Sequence, residues 1–285
     1  MSQNSNSDFK AGQRQQWGSV ADGWYRWWPT FEQGARPVSD RMIELSGIGP
    51  GSHVLDIACG IGEPAITAAK FVGSEGRVTA TDLADEMLAL AQQRAAELDL
   101  GNITFRQADA EAIPLPDGSF DAALCRWGLM LMPDKPAALS EMRRVLRPGG
   151  RLVAVVWGTP QQVPLLSLPM GVAGEQMEVP VPPPGAPGPF SMADPALLER
   201  SFSEAGFSGV TTERQAVTFE FSAAETYTRF IRDVAAPVRG LLADKPPAEQ
   251  ERFWKALEEA AGRFGEPGGA VHIGGETFCA AGHKP

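Results

Sequence analysis

Short apolar runs alternate with longer segments of helical spacing between residues 53 and 157. The runs are nearly free of polar side chains, which is typical of parallel strands buried on both faces. Pro64, Asp85 and Asp134 mark the starts of the three helices between them. The alternation therefore predicts a parallel sheet. Its five strands are predicted over residues 53–58, 78–82, 103–107, 120–126 and 152–157.

The remainder of the chain adds a smaller set of elements. Prolines and glycines are dense between residues 160 and 189, which predicts a loop or flap. Beyond it, the pattern predicts a helix, a strand, two helical segments and a last strand, over residues 195–206, 210–221, 223–242, 248–264 and 272–280.

We expect a single domain with four parts. A helical cap spans residues 1–47, with about the first eight residues disordered. A Rossmann-like core spans residues 48–158, and a flap and helical lid with the sixth strand spans residues 159–270. The last strand and tail occupy residues 271–285.

Composition narrows the function. With 25 Lys and Arg against 35 Asp and Glu, the 285-residue chain has a net charge of -10, so we expect no nucleic-acid partner. Cys59, Cys125 and Cys279 lack CxxC or Cys/His spacing, which argues against disulfides and a metal site. The polar N-terminus and the lack of a run of about 18 apolar residues predict a cytoplasmic protein without stable membrane insertion. The oligomeric state is left open.

The first strand leads into a glycine-rich turn. Gly60 and Gly62 let the backbone bend there and approach a ligand closely. Together with Ala65 they also match the dinucleotide fingerprint, and Asp82, 20 residues past Gly62, stands where a ribose-binding acid belongs in either case. The glycines alone therefore leave the ligand open.

Two acidic residues flank the turn. Asp56 precedes it and Glu63 begins the following helix. A pyrophosphate needs positive potential at a helix N-terminus, whereas two carboxylates suit a cationic ligand. Glu63 is explained equally well as an acid that complements the helix dipole.

Four motifs follow one another between residues 54 and 157: VLDIACGIG, TATDLADEML, FRQADAEAIPLPDGSFDAALCRWGLMLMPD and EMRRVLRPGGRLVAVVW. With them the chain resembles the class I S-adenosylmethionine-dependent methyltransferases, in the branch similar to the ubiquinone/menaquinone-biosynthesis C-methyltransferases. The resemblance implies an α/β Rossmann-like fold with a seven-stranded, mostly parallel sheet and an antiparallel last strand. It also implies S-adenosyl-L-methionine as cofactor and S-adenosyl-L-homocysteine as product. The sulfonium and ammonium groups of this cofactor suit the acidic turn.

The resemblance also implies individual contacts. Asp82 would bind the ribose hydroxyls, Asp109 would contact the adenine edge, and Leu83 and Met87 would lie beside the adenine unless they are ordinary core residues. Asp56 would face the methionyl amine. All lie at C-terminal strand ends, where open α/β sheets bind ligands. The predicted cofactor-binding set is Tyr25, Asp56, Ala58, Gly60, Gly62, Asp82, Leu83, Met87, Ala108, Asp109, Ala110 and Arg126.

Methyl transfer from a sulfonium is an in-line displacement, in which the protein mainly orients and desolvates the reactants. A protein base is needed only if the acceptor arrives protonated. The predicted catalytic residues are His272, Tyr25 and Arg126. An antiparallel last strand would place His272 on the rim of the site, as a substrate contact or base.

Four of the seven tryptophans lie in the first 28 residues, around Tyr25. An N-terminal helix closes over the cofactor in similar enzymes, so Tyr25 is predicted to contact it, and Trp17 and Trp24 to wall the acceptor pocket. The alternative is a cap that merely docks by its aromatic face.

The acceptor region begins after the fourth strand. Arg126 stands where catechol-type enzymes need an acidic metal ligand, which disfavours a metal-dependent mechanism. Arg126 either pairs with the acceptor or bridges acids in the cofactor pocket. Trp127, Met130 and Tyr227 are further predicted substrate contacts.

An apolar or aromatic small-molecule acceptor follows from this lining, with transfer to C, O, N or S. A thiol or metalloid acceptor stays open because Cys59 and Cys125 approach the cofactor face, although burial explains both. An NAD(P)-dependent oxidoreductase and a non-catalytic cofactor-binding protein are the alternative functions.

Overall fold

The computed structural model describes residues 3–180, 183 and 185–285. The strands in this part of the chain are β1 (His53–Ile57), β2 (Arg77–Asp82), β3 (Ile103–Gln107), β4 (Phe120–Arg126), β5 (Leu146–Trp157), β6 (Ser208–Phe221) and β7 (Val271–His283). The α-helices in it are α1 (Gln3–Gly18), α2 (Ala21–Ser46), α3 (Ala65–Val72), α4 (Asp85–Glu97), α5 (Lys135–Val145), α6 (Pro164–Gln176), α7 (Pro195–Glu204), α8 (Ala224–Val234), α9 (Ala236–Leu242) and α10 (Pro247–Ala261).

The strands form one seven-stranded sheet in the order β3-β2-β1-β4-β5-β7-β6. The pairs from β3 through β5 are parallel, and β7 runs antiparallel to both β5 and β6. This confirms the predicted α/β fold with a mostly parallel sheet and an antiparallel last strand. The order reverses at β1 and β4, so a crevice opens beyond their C-terminal ends, which is where such sheets bind ligands.

Burial on both faces explains why the central strands are apolar. Val54, Leu55 and Ile57 of β1 are buried, as are the residues from Ala122 to Cys125 in β4. Helices α3 and α4 pack on β1 to β3, α5 packs on β5, and α2 packs mainly on β6. The long cap helix α2 therefore crosses the same edge of the sheet at which β1 and β4 end.

One stretch that was predicted to be a loop or flap contains a helix. The predicted flap contains α6, because Pro164 occupies a first-turn position that needs no N–H donor, and Leu165, Val172 and Ala173 are buried. Helix α6 packs against α10 and β7.

Helix α1 begins at Gln3, within the first eight residues, of which residues 1 and 2 lie outside the described part of the chain. Side chains from the polar helix reach Asp85 and the loop after β3, where the sequence predicts cofactor contacts. Lys10 pairs with Asp109 and Glu111, and Arg14 pairs with Asp85. These ion pairs hold α1 across the crevice.

Other boundaries differ by small amounts. Strand β5 starts at Leu146 rather than at residue 152, and the predicted helical segment over 223–242 divides into α8 and α9 at Ala235, just before Pro237. Pro237 has no N–H donor and its ring would clash with the carbonyl four residues earlier in a continuous helix, so it is accommodated only in the first turn of a new helix, which accounts for the break. Of the helices described, none is long and apolar enough to cross a membrane.

Candidate active site

The turn after β1 has the backbone that its glycines predict. Ala58, Gly60 and Gly62 have φ values of 57°, 53° and 104°, in the left-handed region. A Cβ on Gly60 would meet no described heavy atom within 4 Å, so this residue borders open space. A Cβ on Gly62 would lie 3.1 Å from Ile66 and 3.4 Å from Ala91. Gly60 thus faces the crevice, and Gly62 lets the turn pack closely on α3 and α4.

Asp82 joins the end of β2 to this turn. Its Oδ2 accepts a hydrogen bond from the backbone N–H of Gly60 at 2.8 Å, and its Oδ1 accepts one from Ala84 at 3.0 Å. Burial raises the pKa of its carboxyl, and the three backbone donors around it act in the opposite direction. The side chain is half-buried at the mouth of the crevice.

Asp56 lies beneath the turn and is fully buried. Its Oδ2 accepts a hydrogen bond from the backbone N–H of Ala65 at 2.8 Å and so caps α3. Its Oδ1 has no hydrogen-bond partner among the described residues. Burial raises the pKa of Asp56 well above 3.8. Of the two carboxyl oxygens of Asp56, only the buried Oδ1 is therefore left for the predicted contact with a ligand.

Glu63 is engaged by its own helix and by a buried arginine. Its Oε2 accepts hydrogen bonds from the N–H and Oγ1 of Thr67, at 3.2 and 2.8 Å, as a first-turn acid does. Its Oε1 lies 3.4 Å from Nη2 of Arg94, which is only 2% exposed. Arg94 also donates to the Ile61 carbonyl at 2.6 Å and stacks 4.0 Å from the centre of the Trp28 ring. Burial raises the pKa of Glu63.

Arg126 bridges to the cap helix. Its Nη1 donates to Oε2 of Glu32 at 2.9 Å and to Oγ of Ser39 at 2.7 Å. Both charged side chains are more than nine-tenths buried. Arg126 therefore pairs with one acid of the pocket, Glu32, and contacts no second carboxylate by a hydrogen bond among the described residues. Arg126 thereby completes a buried charge network, which consists of Glu32, Asp56, Glu63, Arg94 and Arg126.

An aromatic cluster adjoins this network and consists of Trp24, Phe31, Trp127, Trp157, Phe219 and Phe230. The Trp127 and Trp157 rings stack at 4.4 Å, and Phe31 meets the edge of Trp127 at 5.5 Å and stacks on Phe219 at 4.8 Å. Trp127 has a φ of 57°, which is strained for a bulky residue and is typical of functional positions. Its indole Nε1 is buried and donates to none of the described residues. The cluster therefore forms an apolar surface beside the buried charge network.

The predicted adenine end lies under the cap. Met87 is buried against Val20 and Ala21, with Trp17 packed beside them, so Trp17 lies nearer the adenine end than the acceptor end. Leu83, Ala108 and Ala110 are half-buried around Asp82 and Asp109. Asp109 accepts a hydrogen bond from Lys10 at 2.6 Å, so α1 covers this end of the crevice.

Tyr25 lies away from the crevice. Its hydroxyl donates to Glu97 at 2.9 Å and accepts from Gln93 at 2.8 Å, both near the C-terminus of α4. Seven residues later on α2, and hence two helical turns along the same face, Glu32 lies at the end of β4 beside Arg126. Which of these two side chains reaches the crevice depends on the direction of the cap helix, and the sequence does not specify that direction.

His272 is exposed on β7. Its neighbours Val271 and Ile273 are buried, so its side chain points to the opposite face of the strand, away from the core. Tyr227 is fully buried, and its hydroxyl donates to the Leu165 carbonyl at 2.9 Å. Met130 is buried, and its carbonyl accepts hydrogen bonds from Gly188 and Ser191. Tyr227 reaches the aromatic cluster through Phe230, at 6.5 Å between ring centres, but its hydroxyl is engaged by Leu165.

The sequence prediction missed Glu32 and Arg94. Arg94 stands beside Ala91 and Ala95 on the face of α4 that also carries Met87, so an arginine at helical spacing among apolar residues was a visible signal. Glu32 shares a face with Tyr25 and Ser39 at intervals of seven. Their partners lie far away in sequence, and only the fold shows the pairing.

The cysteines are buried in the described structure. Burial raises the pKa of Cys59 and raises that of Cys125 to about 12. Both therefore remain protonated thiols, which are poor nucleophiles and metal ligands. Nor do His, Cys, Asp and Glu side chains in the described ranges form a group that could hold a metal ion.

Asp56→Asn is expected to remove a pH-dependent loss of stability. Because burial raises its pKa, Asp56 stays protonated in the fold over a range, upward from about 3.8, in which the unfolded chain has lost its proton. Stability falls as the pH rises through that range, and Asn cannot contribute this fall. The free energy of unfolding of the variant, relative to wild type, should therefore rise with pH.

Urea unfolding of both proteins at about pH 4 and about pH 8 measures this difference. Arg126 opposes the rise in the Asp56 pKa, whereas Glu63 and Asp82 add to it. Identical pH dependence in the two proteins would contradict the assignment.

The arrangement fits the cofactor that the motifs imply. Asp56 Oδ1 and Glu32 Oε1 are buried carboxylate oxygens to which no described residue donates, and they require a donor rather than a phosphate. The open space at Gly60 admits a ligand against the backbone. S-adenosylmethionine would find its ribose partner in Asp82 and its cationic end beside the buried charge network.

Comparisons with known proteins agree. A family model described as a methyltransferase domain matches residues 54–150. The ubiquinone/menaquinone biosynthesis C-methyltransferase of Teredinibacter turnerae is 40% identical over 143 residues, which are 50% of this chain and 53% of that protein. The chain thus spans about half the length of the curated relatives it matches.

Two solved structures show the same fold. The YcgJ protein from Bacillus subtilis has a TM-score of 0.57 and 21% identity, and the match covers 86% of this chain and 97% of that one. Phosphoethanolamine N-methyltransferase 2 of Haemonchus contortus, solved in complex with S-adenosyl-L-methionine, has a TM-score of 0.53 and 20% identity, covering 87% and 52%.

These relatives give no support to the oxidoreductase alternative, and they confirm the resemblance that the four motifs predicted. Residues 54–150 match the model of a methyltransferase domain, the fold is shared with a solved methyltransferase in complex with S-adenosyl-L-methionine, and the core is similar in sequence to the ubiquinone/menaquinone C-methyltransferases.

Proposed function

We propose that this protein transfers a methyl group from S-adenosylmethionine to an apolar or aromatic small molecule. The observation that carries the proposal is the direct junction of Arg126 and Trp127 at the end of β4. Arg126 belongs to the buried charge network at the cofactor turn, and Trp127 belongs to the aromatic cluster. The proposed binding region for the charged methyl donor therefore lies directly beside the proposed apolar surface for the acceptor.

The bound cofactor would supply the methyl group on a sulfonium, which is its own leaving group. The residues of this chain then bind, orient and exclude water. Asp82 would fix the ribose, and the turn at Gly60 would let the ligand lie against the backbone. Trp127 is half-buried, with the buried Trp157 stacked against it at 4.4 Å, so Trp127 offers a flat surface on which an aromatic acceptor can be held, since offset ring stacking is favourable.

The described side chains favour an acceptor that needs no protein base. The Tyr227 hydroxyl is bonded to Leu165, and burial raises its pKa. His272 faces away from the core. Phenols, quinols, amines and thiols that are nucleophilic near neutral pH fit this arrangement.

A quinol ring is one version of the proposed acceptor. The curated relatives are named for C-methylation in ubiquinone and menaquinone biosynthesis, and such a ring is aromatic and flat. The likeness to them covers about half of each protein, so it supports the donor side more strongly than the acceptor side.

An acceptor screen with methyl-labelled S-adenosylmethionine tests this function. Phenols, quinols, amines, thiols and halides are each incubated with the protein, and labelled product is counted. We expect label in an apolar aromatic compound, and we expect Trp127→Ala to raise its KM more than Phe71→Ala. Phe71 is the matched control because its ring lies half exposed on α3. Transfer to polar aliphatic compounds alone, or to none of the panel, would overturn the proposal.

A further inference from the structure

Glu32 occupies a central place between the cap and the sheet. It lies on the face of α2 that also carries Ser39, and its side chain enters the crevice between the glycine turn and the end of β4. The residue is only 7% exposed. A carboxylate so deeply buried in a cap helix requires compensation by a partner charge and by hydrogen bonds.

The compensation is incomplete among the residues that the structure describes. Oε2 of Glu32 accepts a hydrogen bond from Arg126, whereas Oε1 accepts none. Asp56, in the same network, likewise has one bonded oxygen and one unbonded oxygen. An unmade hydrogen bond at a buried acceptor is costly, and in a cleft it indicates a donor that arrives with a ligand.

The charges of the network point to the same kind of ligand. Glu32, Asp56 and Glu63 face Arg94 and Arg126, so the network holds one acid more than it holds cations. Burial favours the protonated form of Asp56, and a cationic ligand beside it would favour the ionised form. Glu63 is already bonded to Thr67 and Arg94, which leaves Glu32 and Asp56 as acceptors. An ammonium group has three N–H donors and one positive charge, and so meets both requirements.

Resting on the proposed function, we propose that Glu32 binds the methionyl ammonium group of S-adenosylmethionine, with Asp56 as the acid beneath it. The cap helix then contributes a charged ligand contact rather than an apolar cover. Because Glu32 also holds Arg126, binding at the ammonium group fastens α2 to the end of β4. A ligand without the ammonium group cannot make this contact.

Two ligands measured on two variants separate this role from a structural one. S-adenosylhomocysteine carries the ammonium group, whereas 5′-methylthioadenosine has the same adenosine and sulfur without it. Calorimetry compares both on the wild type, Glu32→Gln and Ser39→Ala. Ser39→Ala is the matched control, because it removes the other α2 hydrogen bond to Arg126 without changing charge.

Glu32→Gln is expected to weaken S-adenosylhomocysteine roughly tenfold to a hundredfold and to leave 5′-methylthioadenosine unchanged. Ser39→Ala is expected to preserve the ratio of the two affinities. Equal weakening of both ligands by Glu32→Gln would assign Glu32 to structure alone and overturn the proposal, as would no weakening at all.

A further measurement uses only the wild-type protein, so its result does not depend on whether a variant folds. An analogue of S-adenosylhomocysteine that lacks only the amino group should bind at least about tenfold more weakly than the parent. Equal affinity would overturn the ammonium site while leaving cofactor binding intact. Failure of the wild type to bind S-adenosylhomocysteine at all would instead overturn the proposed function, on which this site depends.

Discussion

Asp82→Ala is expected to weaken S-adenosylhomocysteine binding roughly a hundredfold or more. Removing a carboxylate that accepts hydrogen bonds from two ribose hydroxyls costs about 1.5–3 kcal/mol of binding free energy for each hydrogen bond. The variant also releases the turn, because Asp82 now accepts hydrogen bonds from the backbone N–H groups of Gly60 and Ala84. Binding is measured by calorimetry.

Asp85→Ala is the matched control for this prediction. Asp85 lies three residues later in the same loop region, but its carboxylate is exposed and pairs with Arg14 of α1. We expect its removal to change the affinity far less, because exposed ion pairs contribute little. Unchanged binding to Asp82→Ala would show that Asp82 is not the ribose partner.

Arg126→Met is expected to lower the free energy of unfolding by about 3–5 kcal/mol, the cost typical of breaking a buried ion pair. The variant leaves Glu32 buried without its cation and also removes the hydrogen bond to Ser39. Because the loss arises from an unpaired charge, Glu32→Gln in the same chain should restore part of it. Urea unfolding of the two single variants and the double variant measures the coupling.

Arg41→Met supplies a comparison at the surface. Arg41, on the same cap helix, pairs with Glu213 at 2.6 Å, but both side chains are more than a third exposed. The free energy of unfolding should fall much less in Arg41→Met than in Arg126→Met, since water replaces the exposed partner. Equal losses in the two variants, or additive effects of Arg126→Met and Glu32→Gln, would contradict a buried network.

The central sheet could be predicted from sequence because its strands are short, apolar and bounded by helix signals. Strands β1, β3 and β4 lie within a residue of their predicted bounds. Burial on both faces leaves a pattern that needs no knowledge of partners. The donor-side motifs were predictable for a related reason, since the turn, Asp82 and Asp109 lie at ends of consecutive strands.

Helix α6 and the ion pairs that hold α1 were not predictable in the same way. Helix α6 contains two prolines and three glycines or alanines near its end, which as composition favours a loop. Its helical form depends on burying Leu165 and Val172 against distant parts of the chain. Helix α1 is polar and is held by ion pairs to loops about 70 to 100 residues away. Local sequence propensity indicates neither the burial of α6 nor the ion pairs of α1.

The site shows the same limit. Tyr25 and Glu32 lie on one face of one helix, and the sequence could not say which of them reaches the crevice, because that depends on where α2 crosses the sheet. Arg126 was placed at the right strand end, but its partner lies 94 residues earlier in the chain. Distant pairing of this kind is fixed by the tertiary fold and leaves no local pattern.

The proposed function depends most directly on which cofactor the turn binds. Calorimetric titration of the wild-type protein with S-adenosylhomocysteine and, separately, with NADH decides this, because the two ligands share an adenosine but differ in the charge next to Asp56 and Glu63. We predict saturable binding of one S-adenosylhomocysteine per chain and at least about a hundredfold weaker binding of NADH. Tighter binding of NADH, or no binding of S-adenosylhomocysteine, would contradict the account.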